Sequence, residues 1–187
     1  LKADPKKDRR KDALKTTDER TIIMIPIHKY SLILFWLLVM TACQGDVVFN
    51  TYKPVDKTGW GNGEVVAIDI PVQDTLSYYN LFINLRNNKD YPYSNLFLIT
   101  RMTFPDRTKV TDTLEYEMTD VKGHFLGSGF SDLKENKLFY KSHIRFPQTG
   151  TYLFEVKHAM RQRNSTEGVD PLKGVTDVGI SMEKSKK

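Results

Sequence analysis

An all-β fold, an antiparallel two-sheet sandwich of jelly-roll or immunoglobulin-like type, is what residues 43–187 predict, and three observations predict it. Apolar residues recur at every second position, the period of a strand with one buried face. Turn formers separate the alternating runs, at Asn87-Asn-Lys-Asp90, Pro105-Asp-Arg-Thr108, Gly123 to Gly129 and Pro147-Gln-Thr-Gly150. No window of twelve or more residues keeps a helical 3.6 period, so the crossover helices that a parallel sheet requires have no sequence to form them.

The elements can be justified in order. Val47 to Tyr52 is an optional first strand, and Val66, Ile68 and Ile70 define one face of the next. Leu81, Ile83 and Leu85 follow, then Leu96, Leu98 and Met102, with Phe97 and Ile99 on the opposing face. Beyond them come Leu114, Tyr116 and Met118; Leu138, Tyr140, Ile144 and Phe146; Tyr152, Phe154 and Val156; and Val178, Ile180 and Met182. Seven or eight short strands with turns between them suit a sandwich, and no repeat of solenoid length interrupts them.

The chain ahead of the strands has a different character. Ser31 to Met40 is a ten-residue apolar run preceded by His28 and Lys29 and followed by Thr41-Ala42-Cys43. At ~1.5 Å per helical residue it spans about 15 Å, half of a roughly 30 Å hydrocarbon core, so it reads as the apolar region of a signal peptide rather than a transmembrane helix. Small residues directly before a cysteine resemble the lipobox of bacterial lipoproteins, in which the thiol is diacylated and becomes the new N-terminus; Met40 stands where Leu is more usual. Cys43 is the only cysteine, so neither an intramolecular disulfide nor a Cys-based zinc site accounts for it, whereas lipidation at the cleavage position does. The expected organisation is an upstream, disordered extension over 1–23, a lipoprotein signal peptide over 24–42 and one β-sandwich domain over 43–187. The extension begins with Leu, and its eight basic residues are interspersed with five acidic ones.

Charge excludes one class of function. Lys and Arg number 28 against 23 Asp and Glu, but nine of the basic and five of the acidic residues lie in 1–42. Residues 43–187 therefore hold 19 and 18, a net +1 that argues against nucleic-acid binding.

Catalytic motifs fail on context. Gly127-Ser128-Gly129 lacks the strand-to-helix surroundings of a nucleophile elbow. Ser131-Asp-Leu-Lys134 and Lys57-Thr58-Gly59 occur in the reverse of the order that penicillin-recognising enzymes use. Gly59-Trp60-Gly61-Asn62-Gly63 lacks phosphate-loop spacing and reads as a flexible connector. His124, His143 and His158 are far apart with no metal-ligand spacing, so no metal, no cofactor and no enzymatic activity are expected.

What remains are aromatic and polar clusters. Tyr91-Pro92-Tyr93-Ser94-Asn95 lies between two predicted strands just after Arg86, and Tyr and Arg are common contact anchors. Arg86, Tyr91, Tyr93 and Asn95 form the candidate interaction surface; the competing view has both tyrosines capping the core while Arg86 lies along it.

Several strings together resemble the gliding-motility lipoprotein family GldH. They are the lipobox cysteine, Tyr79-Asn80-Leu81, Leu85-Arg86, Tyr91-Pro-Tyr-Ser-Asn-Leu96, Asp112-Thr113-Leu114, Asp120-x-x-Gly123-x-Phe125-x-Gly127-x-Gly129, Gly150-x-Tyr152, Met160-Arg161 and Gly174-x-x-Asp177-Val178-Gly179. Phe125 stands where the family pattern has Trp. The resemblance implies a lipid-anchored envelope protein of Gram-negative gliding bacteria, most often of the outer membrane, linked to the motility, secretion and adhesin machinery and present also in non-gliding relatives. It implies no catalytic residue. The expected partners are the membrane, through Cys43, and other envelope or motility and secretion proteins. The alternative is a surface glycan-binding lipoprotein, which a coplanar exposed pair among Trp60, Tyr91, Tyr93 and Phe125 would favour.

Overall fold

The computed structural model describes residues 46–129, 131–162, 164 and 166–186. The upstream extension, the signal peptide and Cys43 lie outside the described residues. Eight strands form: β1 (Val47–Pro54), β2 (Val66–Val72), β3 (Tyr79–Asn87), β4 (Asn95–Thr103), β5 (Lys109–Glu117), β6 (Lys134–Ile144), β7 (Gly150–His158) and β8 (Val175–Lys184). The optional first strand is real, and each of the other seven falls where its alternation predicts.

Strands β1 to β8 form a rolled antiparallel ribbon. β4 and β5 form the hairpin at its tip, and β3 pairs with β6, β2 with β7 and β1 with β8 behind it. Rolling this ribbon adds two further pairings, β3 with β8 and β4 with β7. The result is two four-stranded sheets of order β1-β8-β3-β6 and β2-β7-β4-β5, with every connection except β4–β5 crossing between them. That is jelly-roll connectivity, which decides between the two sandwich types that alternation alone allows.

Alternation sends one side chain in two into a single core between the sheets. Leu81, Ile83 and Leu85 of β3 join Leu96, Leu98 and Met102 of β4, Tyr152 and Phe154 of β7 and Val178 and Ile180 of β8 there. Thr100 occupies the inward series of β4 as a buried polar residue, with its hydroxyl 3.3 Å from that of Tyr140. Tyr140 donates in turn to Asp112 Oδ2 at 2.9 Å, so a core-crossing phenol joins β6 to β5. The inward series of β6 does not run on to Phe146 as predicted. His143 adopts a φ of 48° and the strand ends at Ile144. Phe146 enters the core from the following loop, meeting Tyr152 edge-on at 4.8 Å.

One connector departs from its expectation. Trp60, in the glycine-rich stretch read as flexible, is fully buried. Its backbone bridges Leu172 in both directions, at 2.9 and 2.8 Å, and its indole N–H donates to the Glu64 carbonyl at 3.1 Å. Gly59 lets the Leu172 backbone approach, since a Cβ there would lie 2.8 Å from the Leu172 carbonyl oxygen.

The two ends of the sandwich differ. At one end lie the N-terminus of β1, the C-terminus of β8 and the short connections 73–78, 104–108 and 145–149. The long crossovers 55–65, 88–94, 118–133 and 159–174 all lie at the other.

Candidate functional site

The long-loop end gathers motifs that are far apart in sequence. Tyr91 enters the core, only 3% exposed, and donates from its hydroxyl to the Asn95 carbonyl at 2.7 Å, which closes the Tyr91–Asn95 loop on itself. Burial pushes the Tyr91 hydroxyl well above the usual phenol range, so it stays a donor. Its ring meets Tyr93 edge-on at 6.0 Å and Phe125 of the glycine-rich string at 6.4 Å. The Ser94 carbonyl accepts from the Met118 N–H at 2.7 Å, and the Met118 carbonyl accepts from Leu126 N–H at 3.0 Å. These bonds lace the glycine-rich string against the tyrosine loop.

Glycine is required where these strings touch. Gly174 has a φ of 81°, and a Cβ built there would lie 2.1 Å from the Tyr91 nitrogen. Asn88 N–H donates to the Gly174 carbonyl at 2.8 Å, holding the two backbones together. A Cβ on Gly127 would lie 2.6 Å from the Asn136 side-chain oxygen. Asn136 is itself buried and donates to the Asn87 side chain at 2.7 Å, tying β6 to the end of β3. Asp120 closes the glycine-rich turn: backbone donation from His124, joined by the His124 ring and Lys122 N–H, holds its carboxyl below the usual range.

Of the four residues expected to form one surface, Tyr91, Tyr93 and Asn95 come together and Arg86 does not. Alternation points Asn84 and Arg86 out of β3, on the outer face of the β1-β8-β3-β6 sheet, whereas Asn95 and Phe97 face outward from the other sheet. Arg86 and Asn95 therefore lie on opposite faces, and their grouping is corrected. The Arg86 guanidinium sits 4.2 Å above the Tyr52 ring and 3.5 Å from Glu135, which also accepts from the Tyr52 hydroxyl. Tyr91 is the internal support of its loop, and Tyr93 and Asn95 remain half-exposed together.

Residues that spacing alone did not single out complete that patch. Tyr93, Asn95, Phe97, Ala159, Met160 and Arg161 line an open depression of about 410 Å³. The Phe97 N–H points at Met160 Sδ, 3.2 Å away, and Ala159 N–H donates to the Phe97 carbonyl at 2.8 Å, so the floor is bonded to β4. Met160-Arg161 was legible only as part of a motif. Its nearness to Tyr93 depends on β7 lying beside β4.

The three histidines among the described residues serve local packing. His124 pairs with Asp120, His143 stacks on Tyr78 at 4.0 Å, and His158 is buried edge-on to Trp60 with Nε2 3.1 Å from the Trp60 carbonyl. Desolvation holds the His158 imidazole below its ordinary pKa, so the folded chain favours the neutral ring. The unfolded chain then takes up the proton first as pH falls through about 6.5, and stability that is whole above that value is lost below it. Melting curves between about pH 7.5 and 5.5 are expected to show Tm falling with acid, and His158→Gln to flatten that slope. An unchanged slope in the variant would assign the loss to other groups.

Among the described residues no three His, Cys, Asp or Glu side chains come together as a metal site. Of the aromatics weighed for glycan, Trp60 and Tyr91 are buried, and Tyr93 and Phe125 contact Tyr91 at steep interplanar angles of 75° and 58°. Two of those four therefore offer no exposed ring face.

An eight-stranded jelly roll whose sequence motifs interlock at its long-loop end is the class that fold and site define. The chain belongs to the GldH lipoprotein family, whose profile matches residues 47–182. It is 41% identical over 152 residues to the gliding motility lipoprotein GldH homolog of Christiangramia forsetii, covering 81% of this chain and 93% of that protein. It is 40% identical over 157 residues to the gliding motility lipoprotein GldH of Flavobacterium johnsoniae, covering 84% and 97%. Among solved structures, the VP2 subviral particle of infectious bursal disease virus aligns with 74% of this chain and 39% of its own at 12% identity and a TM-score of 0.22, too low to bear on the fold.

Proposed function

We propose that the protein is a non-catalytic, lipid-anchored envelope lipoprotein of gliding motility and its associated secretion machinery, attached through Cys43 to the outer membrane. It presents its long-loop end to a protein partner. One observation carries this reading: β1, which follows Cys43, begins at the end of the sandwich opposite the interlocked Tyr91, Phe125 and Gly174 strings. A tether at Cys43 leaves those loops pointing away from the bilayer. The contact surface is the patch of Tyr93, Asn95, Phe97 and Arg161, which joins half-exposed aromatics to a cation on a bonded floor, a composition typical of protein contact anchors.

A photo-crosslinking residue at Tyr93, compared in intact envelopes with one at Phe139 on the outer face of the other sheet, tests the assignment. Adducts with one envelope protein are expected from position 93 and are expected to vanish with Arg161→Ala. Adducts formed equally from position 139, or none from 93, would sink it.

A further inference from the structure

The end of the sandwich next to the anchor has a character of its own. Lys184 N–H donates to the Asp46 carbonyl and Ser185 N–H to the Tyr78 carbonyl, each at 2.8 Å, so the start of β1, the end of β8 and the 73–78 loop form one surface. On it Leu76 is 82% exposed, and Tyr78 presents a half-open ring stacked on His143 with the Arg145 guanidinium 6.0 Å away. Arg107, Lys109, Arg145 and Lys184 carry no ion pair among the described residues. The carboxylates of this end are all engaged: Asp46 with Lys186 at 2.9 Å, Asp74 with Leu76 N–H and Ser77, and Asp106 with Thr108 N–H. Asp74 and Asp106 keep their negative charge while bonded to these neutral donors, so with Asp46 three carboxylates face five cations, Arg107, Lys109, Arg145, Lys184 and Lys186. The excess is positive, and it surrounds an exposed leucine and an amphipathic ring.

We propose that this end is a second, non-covalent seat on the membrane, in which Leu76 and Tyr78 enter the headgroup region of an anionic bilayer and the free cations lie against its phosphates. The inference rests on the anchor reading for its orientation. Only Gln44 and Gly45 separate Cys43 from Asp46, and four residue steps to Val47 reach at most about 14 Å. A lipid on Cys43 therefore keeps β1, and the loops bonded beside it, within a headgroup layer's distance of the surface. Tyrosine suits that layer because one end of its ring is apolar and the other wet. Lys and Arg there gain from anionic lipid within a Debye length. The apolar cleft of about 280 Å³ lined by Met102, Phe104, Ile144 and Phe146 opens at the same end beside Arg145. The domain would then stand upright on two supports, one covalent and one interfacial, with the Tyr93 patch facing away.

The single native cysteine makes the test direct, because a lipidated Cys43 cannot take a maleimide. Leu76→Cys and, at the far end, the fully exposed Val121→Cys are labelled with an environment-sensitive fluorophore in the lipidated full chain. The chain is reconstituted into phosphatidylcholine vesicles with and without phosphatidylglycerol and with nitroxide-bearing lipid as quencher. Position 76 is expected to be quenched, more strongly with phosphatidylglycerol, and position 121 to stay aqueous. Each Lys or Arg near such a surface changes occupancy roughly five-fold, so Arg145→Gln with Lys184→Gln should lower the ratio of seated to free molecules roughly 25-fold. An aqueous probe at 76, equal quenching at both positions, or shielding at 76 only in native envelopes and not in vesicles overturns the proposal; the last outcome would identify a protein contact instead. If the unmodified chain takes label at Cys43, the anchor reading fails by itself. The seat is then read in the Cys43→Ser background on the same vesicles, where quenching confined to position 76 supports it and its absence overturns it.

Discussion

Cys43→Ser is expected to empty the membrane fraction of this protein while leaving the fold intact. Each buried methylene contributes ~0.8 kcal/mol to membrane affinity, one acyl chain holds a protein only marginally, and two or three hold it stably. Removing the acceptor thiol removes all of them together. The core among the described residues is built from Phe49 onward, beyond Cys43, so the thermal transition of the serine variant should match that of the parent. The measurements are lipid labelling and fractionation of envelopes at ordinary ionic strength. A serine variant that stays in detergent-extractable membrane, unlabelled, after a high-salt wash that releases an electrostatic seat would mean that some other element provides the anchor.

The second large effect falls on stability. Gly174→Ala must accommodate a Cβ 2.1 Å from the Tyr91 nitrogen while keeping a φ of 81°. Strain at a positive φ and overpacking each cost about 1–3 kcal/mol, so a loss of about 2–6 kcal/mol is expected, on the order of 5–25 °C in Tm. Gly63→Ala provides the control. Its φ is 88°, yet nothing lies within 4 Å of a Cβ there, so it meets the conformational term without the collision. Equal losses at the two sites would show that the meeting of the Tyr91 and Gly174 backbones contributes nothing. The larger loss at Gly174 alone, measured by denaturant unfolding, would show that the interlocked strings hold this end together.

The strands were legible because alternation is a local property. Leu81, Ile83 and Leu85 of β3 are all buried, and the parity that sends them inward needs no knowledge of the strands beside them. Which strands pair is not local. Jelly-roll and immunoglobulin-like sandwiches use the same alternation, and only the order of strands within the sheets separates them. Trp60 escapes a local reading for the same reason: its glycine-rich surroundings suggest freedom, but its burial is decided by Leu172, more than a hundred positions away. Arg86 and Asn95 are close in sequence, yet the chain changes sheets between them and carries them to opposite faces. The strings around Tyr91, Phe125 and Gly174 were visible as a family pattern. Their mutual packing was not, because each supplies only part of a contact that needs the other two.

The pairing of the first strand with the last has a consequence for the order of events in the cell. β1 has no partner in its sheet except β8, so its backbone groups stay unpaired until Val175–Lys184 has been made. Non-local closure of this kind is slow, because the loop entropy must be met before the contacts form. A chain emerging from synthesis therefore keeps β1 open until its partner strand exists. On the proposal that Cys43 carries the lipid, the described residues nearest it are the last to be locked, and the ribbon rolls shut only after the chain beside the cysteine has been open to modification.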